Sequence, residues 1–361
     1  MHRKDILRKL FGATAFGLVV AVCVVAGSAV AEAPAFALES PYAFGEHQHK
    51  VQLHTHTVNS DGDHEPPWVM QQYENLGYAA VAITDHDYRG RTTVSLDDPG
   101  GHGIIHIPGV EYSADENNRS WSHMLGIMIA SVHHEDGLDN RQAQIDQAHA
   151  EGGMVFLCHP YSDNVHRRGW NDDDILELVA GYDGIEIYNG RSYHEPGGRD
   201  YPYKVDLVLM DGRRVNVIAV DDFHRNPEET MDRGYVVVNS DADADTVTRE
   251  MLVDALKSGN YFSAGRVSPE YPTSPFFTDI TVDGDTITAT VDKPSDIEVI
   301  TARNNYYREG TNYVQIEEAV TASSYTAVPE DQFVRIKATY REDDRISYAW
   351  SNPIYVVAAQ E

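Results

Sequence analysis

The sequence predicts an α/β fold in which a parallel sheet closes into a barrel, followed by a small all-β module. Three observations predict it. From residue 51 to about 265, short runs rich in Val and Ile alternate with helical patterns, the signature of a parallel sheet whose crossovers are helices. At residues 268–275, SPEYPTSP makes a proline-rich break, beyond which the pattern becomes two-residue alternation. Histidines and carboxylates recur at the ends of the apolar runs, where a barrel of parallel strands collects its chemistry.

Taken in order, Arg3, Lys4, Arg8 and Lys9 precede an apolar stretch from Phe11 to Ala31 that ends in Ala29-Val30-Ala31. A basic segment, an apolar core and a small-residue site make residues 1–31 an export signal removed from the mature protein. A stretch of about 20 apolar residues would also serve as a single membrane anchor, but Gly12, Gly17, Gly27 and Ser28 dilute it and favour cleavage. The implied destination is the periplasm or the medium. Removal leaves 361 − 31 = 330 residues, enough for one large domain and a small one. The formal charge is −29, and the signal carries four basic residues against one acidic, so the remainder has −29 − 3 = −32. Such a surface repels nucleic-acid duplexes and anionic lipid, and an anionic substrate needs local cations to enter. Cys158 is the one cysteine after residue 31, which excludes an intramolecular disulfide there.

The barrel is expected over residues 45–267. A helix over 67–76 precedes a strand over 79–84, a helix over 139–150 precedes a strand over 154–158, and a helix over 172–179 precedes a strand over 184–188. The next pair is 203–210 and 215–220, and a last helix spans 245–258 and ends at Gly259. Asn171 followed by Asp172, Asp173 and Asp174 reads as a helix cap matched to the helix dipole rather than as a catalytic cluster. After the linker at 268–275, residues 276–361 carry TDITVDGDTITATV, a strand, an Asp-Gly turn and a second strand. SDIEVITA, YVQIEEAV, FVRIKATY and ISYAW continue the alternation, giving six or seven strands, the size of a small β-sandwich without a single histidine.

The chemistry concentrates at strand ends. Val51 and Leu53 lead into His54 and His56, which on a strand project from one face and can share a metal ion. His47 and His49 have the same spacing but sit among Glu46, Gln48 and Lys50, and are expected to be a solvated approach segment. Asp61 lies on the tight loop that follows. AVAITDHD ends in Asp85, His86 and Asp87; IIHIPGVEYS delivers Glu111; MVFLCHP delivers His159; VNVIAVDDFH delivers Asp221, Asp222 and His224; His123 opens HMLGIMIA. One such histidine is ordinarily a hydrogen-bonded structural residue. Six of the seventeen histidines at predicted strand ends, together with at least three carboxylates, instead indicate a metal cluster.

LHTHTVNSDG, ITDHD, GVEYS, SHMLG, CHP and DDFH, in this order and spacing, resemble the motif set of the polymerase and histidinol phosphatase (PHP) domain superfamily over residues 45–265. The resemblance implies a distorted seven-stranded (βα) barrel, two or three divalent metals and, for most characterised members, phosphoester hydrolysis. It implies that His54, His56, Glu111 and Asp222 hold a first ion, that Glu111 bridges to a second held by His123 and His159, and that Asp61, His86 and His224 hold a third. Asp221-Asp222-Phe223-His224 departs from the Ser-Asp-Ala-His common in the family, so Asp221, on the other strand face, is expected to be structural and Phe223 to narrow the pocket. The β module resembles the appended modules of some secreted members.

Mixed imidazole and carboxylate ligands suit Zn²⁺, Mn²⁺ or Fe²⁺ better than Ca²⁺ or Mg²⁺. Two ions sharing Glu111, about 3.5–4 Å apart, would activate a bridging water for attack and neutralise charge on a phosphate. The expected activity is hydrolysis of a small phosphomonoester or phosphodiester, with Asp222, His224 and Arg225 as catalytic residues. Arg191, Arg167, Arg168 and Lys204 are further candidates for holding the phosphate, and His166 and His194 for protonating the leaving group. A metallohydrolase cleaving a carboxylic ester, amide or aryl carbamate, and a non-catalytic metal- or ligand-binding module, are the alternatives. Cys158, next to His159 on a strand, is expected to point away into packing.

Overall fold

The computed structural model describes residues 36–87, 96–113, 122–132, 141–160, 169–191, 202–305 and 316–359. The export signal at 1–31 and the candidates His166, Arg167, Arg168 and His194 lie outside the described residues. The architecture is mixed α/β, with one large sheet and few helices.

Along the chain run β1 (Phe36–Glu39), β2 (His47–Gln52), α1 (Pro66–Asn75), β3 (Ala80–Ile83), β4 (Ile105–Tyr112), β5 (Met124–Ile127), α2 (Arg141–Ala150), β6 (Met154–Leu157), β7 (Gly184–Asn189), α3 (Pro202–Met210), β8 (Asn216–Val220), α4 (Pro227–Thr230), β9 (Gly234–Ser240), α5 (Arg249–Ser258) and β10 (Tyr261–Arg266). The helix expected over 172–179 is present over 172–178, with its Asp174–Leu178 stretch wound as a π-helix. Asn171 does cap it, accepting the Asp174 N–H through Oδ1 at 2.9 Å. The last helix begins at Arg249, four residues later than expected, because the Thr248 side chain accepts the Met251 N–H there; Gly259, at φ +79°, ends it as expected.

The sheet is not all-parallel, and this corrects the sequence expectation. β2, β3 and β4 pair in parallel, as do β6, β7 and β8. β5 runs antiparallel to both β4 and β6. The connection between Tyr112 and Met124 is too short for a helical crossover of a dozen or more residues, so the chain turns back on itself. β9 is antiparallel to β2, and β10 to β9. Reversing β5 has a functional consequence. Its beginning, not its end, lies beside the end of β4, with Tyr112 opposite Met124, and this brings His123 to the same edge as Glu111.

HQH is not a solvated approach either. His47 and His49 open β2, paired with Ser240 and Val238 of β9. His49 is buried and its Nε2 lies 2.8 Å from the Ala242 carbonyl. Conversely, β2 stops at Gln52, and His54 and His56 lie on an extended segment beyond it. The carboxamide oxygen of Gln52 stops the ladder by accepting the N–H groups of Leu53, His54 and Asp221.

The inner core joins Val51, Leu53, Ala82, Ile107, Leu125, Phe156, Ile218, Val220 and Val236 to Leu252, Val253 and Leu256 of α5. Six further strands follow: β11 (Phe277–Asp283), β12 (Thr286–Thr301), β13 (Ile316–Thr326), β14 (Phe333–Glu342), β15 (Arg345–Ser351) and β16 (Ile354–Ala358). Gly284, at φ +61°, makes the turn between β11 and β12. β15 pairs antiparallel with β10, and β1 pairs with β16, so the later strands extend the same sheet. Among the described residues, no helix is long and apolar enough to cross a membrane.

His106, near the start of β4, is buried with neither ring nitrogen hydrogen-bonded among the described residues. Burial lowers its pKa to about 4 from the usual 6.5, and Arg249 and His102 add to that while Asp98 opposes it. A histidine depressed in the folded state costs stability as pH falls, because below about 6.5 the unfolded chain binds the proton first. His106→Phe is therefore expected to flatten the loss of stability between pH 6.5 and 4, by up to about 3 kcal/mol at the acid end. Urea unfolding at several pH values checks this; a variant that tracks the wild type down to pH 4 refutes it.

Candidate metal centre

Three left-over segments and one strand build the first part of the site. The segment after β2 is fixed by a backbone bond from His56 N–H to the Phe223 carbonyl at 2.8 Å and by the Thr84 N–H donated to Thr55 at 2.9 Å. His54 and His56 therefore turn the same way, with Nε2 atoms 3.1 Å apart. Glu111 Oε2 lies 3.1 Å and 3.0 Å from these two nitrogens, and Asp222 Oδ1 lies 3.4 Å from each. Four donors about 2.0–2.1 Å from a common tetrahedral centre lie roughly 3.3 Å from one another. The spacing thus fits an ion, whereas bare imidazole lone pairs facing each other would repel.

The other carboxylate oxygen of Glu111 faces a second pair: Oε1 lies 2.7 Å from His123 Nδ1 and 3.1 Å from His159 Nε2. A third group gathers on Asp61 Oδ1, 3.1 Å from His224 Nε2, 3.6 Å from His56 Nδ1 and 3.7 Å from His86 Nε2. His86 also places Nδ1 3.2 Å from Glu111 Oε2, so its ring lies between the first and third groups. His54, His56, Asp61, His86, Glu111, His123, His159, Asp222 and His224 are thereby drawn into one cluster, and ligand atoms of several subsets lie within 4.8 Å of one another.

Local backbone strain aims two of these side chains. Asp222 has φ +53° and His159 φ +27°, values that non-glycine residues rarely adopt. Burial alone would raise the Glu111 carboxyl, yet the rings of His86, His54 and His123 hold it well below the usual carboxylate range. Burial would likewise lower His54, but Asp222, Glu111 and Glu186 outweigh it and raise the ring's pKa. Burial and its cationic neighbours keep His86 and His224 depressed.

Sequence reasoning missed Glu186. It is fully buried in β7, accepts the His159 N–H and a side-chain N–H of Asn189, and lies 2.7 Å from His54 Nδ1. A carboxylate on the far nitrogen fixes the tautomer so that Nε2 faces inward. The available signal was a lone acidic residue inside the apolar run GIEIYN. Glu186→Gln is expected to weaken divalent-ion affinity by about 10–100-fold while the protein stays folded, as measured by competition with a chelating dye. An unchanged affinity would show that His54 is held by packing alone. Asp85 accepts from Thr57 N–H, Thr57 Oγ1 and Ser60 Oγ at 2.6–2.7 Å, holding the loop that carries Asp61 rather than facing the cluster.

Among the basic candidates, Arg191 is at the rim: its Nη1 is within hydrogen-bond range of His224 and 3.9 Å from Asp222 Oδ1, with the side chain part-exposed. Arg225 is exposed and shares no ion pair or hydrogen bond with the cluster among the described residues. Lys204 is buried and ion-paired to Asp172. Asp221 accepts N–H groups from Asp232, Arg233 and Gly234 and the Tyr73 hydroxyl, a structural anchor as expected. Phe223, buried, stacks towards His64.

Cys158 does not point away. Its Sγ falls within 4.8 Å of ligand atoms of Glu111 and His159, and of His54 and Glu186. The alternation that predicted otherwise holds only within a strand, and β6 ends at Leu157, just before the left-handed turn at His159.

No protein-family model and no curated protein matches the chain. Among solved structures, it is similar to a two-domain protein containing a predicted PHP-like metal-dependent phosphoesterase from Bacteroides vulgatus, at 16% identity and TM-score 0.47, over 86% of this chain and 88% of that one. It is also similar to a protein from Bifidobacterium adolescentis described as a metal-dependent phosphoesterase, at 18% identity and TM-score 0.39, over 59% and 97% of the two chains. A third is an amidohydrolase from Chromobacterium violaceum with bound sulfate and no metal, at 18% identity and TM-score 0.34, over 48% and 87%.

Proposed function

We propose that the protein is a metal-dependent hydrolase of the PHP type that cleaves a small phosphomonoester or phosphodiester. One observation carries the reading: Glu111 presents one oxygen to His54, His56 and His86 and the other to His123 and His159, as a carboxylate shared by two ions does. Zn²⁺, Mn²⁺ or Fe²⁺, two or three of them, suits this donor set, and when bound would supply Lewis acidity and a more acidic water. The chain's own residues do the rest. His54, His56, Glu111, Asp222, His123 and His159 hold the centre, while Asp61, His86 and His224 form its outer group. Asp222, whose Oδ1 faces the first group and whose Oδ2 accepts a side-chain N–H of Asn189, would take the proton of the attacking water, while His224, its Nδ1 2.9 Å from the Asp222 carbonyl, would orient that carboxylate. Arg191 would supply a cation where an anionic substrate enters; Arg225 is exposed.

The seven strands β2 to β8, with a bridge joining Thr55 after β2 to Phe223 after β8, support a distorted seven-stranded barrel, and β11 to β16 a β-sandwich beside it. The pattern of residues 1–31 supports export, with a mature chain that N-terminal sequencing is expected to find starting at Glu32. Chromogenic phosphate mono- and diesters, run beside aryl esters and carbamates with Mn²⁺ and Zn²⁺, test the activity. Turnover of the esters or carbamates with none of the phosphates would move the reading to carboxyl chemistry. Arg191→Ala is expected to lower kcat/KM on the phosphate substrate by about 10–100-fold, mainly through KM; an effect on kcat alone would place it elsewhere.

A further inference from the structure

The inner corner of the site holds a sulfur that the ligand set above leaves unused. Cys158 is fully buried, and its Sγ lies within 4.8 Å of ligand atoms of both Glu111 and His159, as do those two of each other. The left-handed turn at His159 turns consecutive residues, Cys158 and His159, to the same side of the backbone, an arrangement a continuing strand would forbid. The Cys158 N–H donates to the His123 carbonyl at 3.1 Å, fixing the segment against a third member of the same group.

A second observation lies beside it. Arg141, at the start of α2, is 1% exposed, and its Nε and one Nη have no hydrogen-bond partner among the described residues. Its electrostatic neighbours are Asp87, Cys158 and Glu111. A buried guanidinium with idle donors is costly unless an anion faces it. Asp87 is already engaged by Ser113, whose N–H and hydroxyl both donate to it, and Glu111 is engaged by five imidazoles. Sulfur is the remaining group there that can become negative.

We propose that Cys158 is a thiolate ligand to the ion held by Glu111, His123 and His159, and that it biases this position toward thiophilic divalent ions, Zn²⁺ over Mn²⁺. On binding, the S–H bond breaks, the sulfur keeps the electron pair and shares it with the ion, and the proton leaves to solvent. A nitrogen and oxygen donor set already binds Zn²⁺ more tightly than Mn²⁺, and a thiolate, a soft donor, widens that gap.

The inference rests on the metallohydrolase reading, and the experiment separates the two. Zinc-loaded full-length protein, in a Cys23→Ser background so that Cys158 is its one cysteine, is examined by zinc K-edge absorption fine structure. The cobalt-loaded form is examined for a sulfur-to-cobalt charge-transfer band. The expected result is a sulfur scatterer at about 2.3 Å and a near-ultraviolet charge-transfer band. Both should be absent in Cys158→Ser, which should still bind metal but lose about tenfold of its preference for Zn²⁺ over Mn²⁺. Bound metal with nitrogen and oxygen neighbours only overturns the Cys158 inference and leaves the hydrolase standing. A wild-type protein that retains no divalent ion overturns both. Because the decisive spectra come from the protein with Cys158 intact, poor folding of the serine variant does not blunt the test.

Discussion

Glu111→Gln is expected to lower kcat/KM on any substrate by about 10³-fold or more and to strip the protein of most of its bound divalent metal. The carboxylate serves five imidazoles with two oxygens, at distances from 2.7 to 3.2 Å. The amide keeps the shape but removes the charge, and turns an N–H₂ toward nitrogens that need a lone pair or an ion. His54 and His159, whose pKa values the carboxylate helps to raise, lose that support. Metal content by mass spectrometry and steady-state kinetics check the expectation together. A glutamine variant retaining full metal content and activity within about threefold of wild type would mean that Glu111 only packs.

Asp221→Ala is expected to destabilise the fold by about 3 kcal/mol or more, with a melting temperature lower by roughly 5–10 °C. Its carboxylate accepts the N–H groups of Asp232, Arg233 and Gly234 at 2.7–2.8 Å and the Tyr73 hydroxyl at 2.8 Å. Burial pushes its pKa up to about 6 even though these donors oppose the shift. Alanine leaves four donors without an acceptor where water does not reach, and it loosens the turn into β9 and the Asp222–His224 segment at once. Asp222→Asn should behave differently, keeping the fold while losing the first ion group. Urea denaturation of the two variants, with metal removed, is the comparison; equal stability losses would contradict the division of labour between these adjacent residues.

Much of this division was legible in the sequence. Strand alternation separated Asp221 from Asp222 in the sequence, and the two do face different partners, although β8 ends at Val220 and Asp222 has φ +53°. The helix–strand order was legible because the apolar runs are short and rich in Val and Ile, and Gly259 and Gly284 mark their turns with positive φ. Strand direction was not. Nothing in HMLGIMIA distinguishes a strand running with its neighbours from one running against them, since both faces are buried either way. That ambiguity hid why His123 belongs with Glu111. HQH misled for a related reason: it lacks an apolar run, yet β9 pairs with it and shields His49.

Glu186, Cys158 and Arg141 were missed or misplaced because their roles depend on neighbours tens of residues away. Glu186 meets His54 across 132 residues, and Cys158 faces the cluster only because the chain turns left-handed at His159. By itself the sequence determined which side chains can bind a divalent ion and that apolar strands deliver them, because ligand chemistry belongs to residue type and burial to local pattern. The tertiary structure alone decided which oxygen of Glu111 meets which ring, which acid beside the cluster orients a histidine, and which sulfur lies within reach. Those are distances between segments remote in sequence, fixed by strand direction and backbone strain rather than by composition.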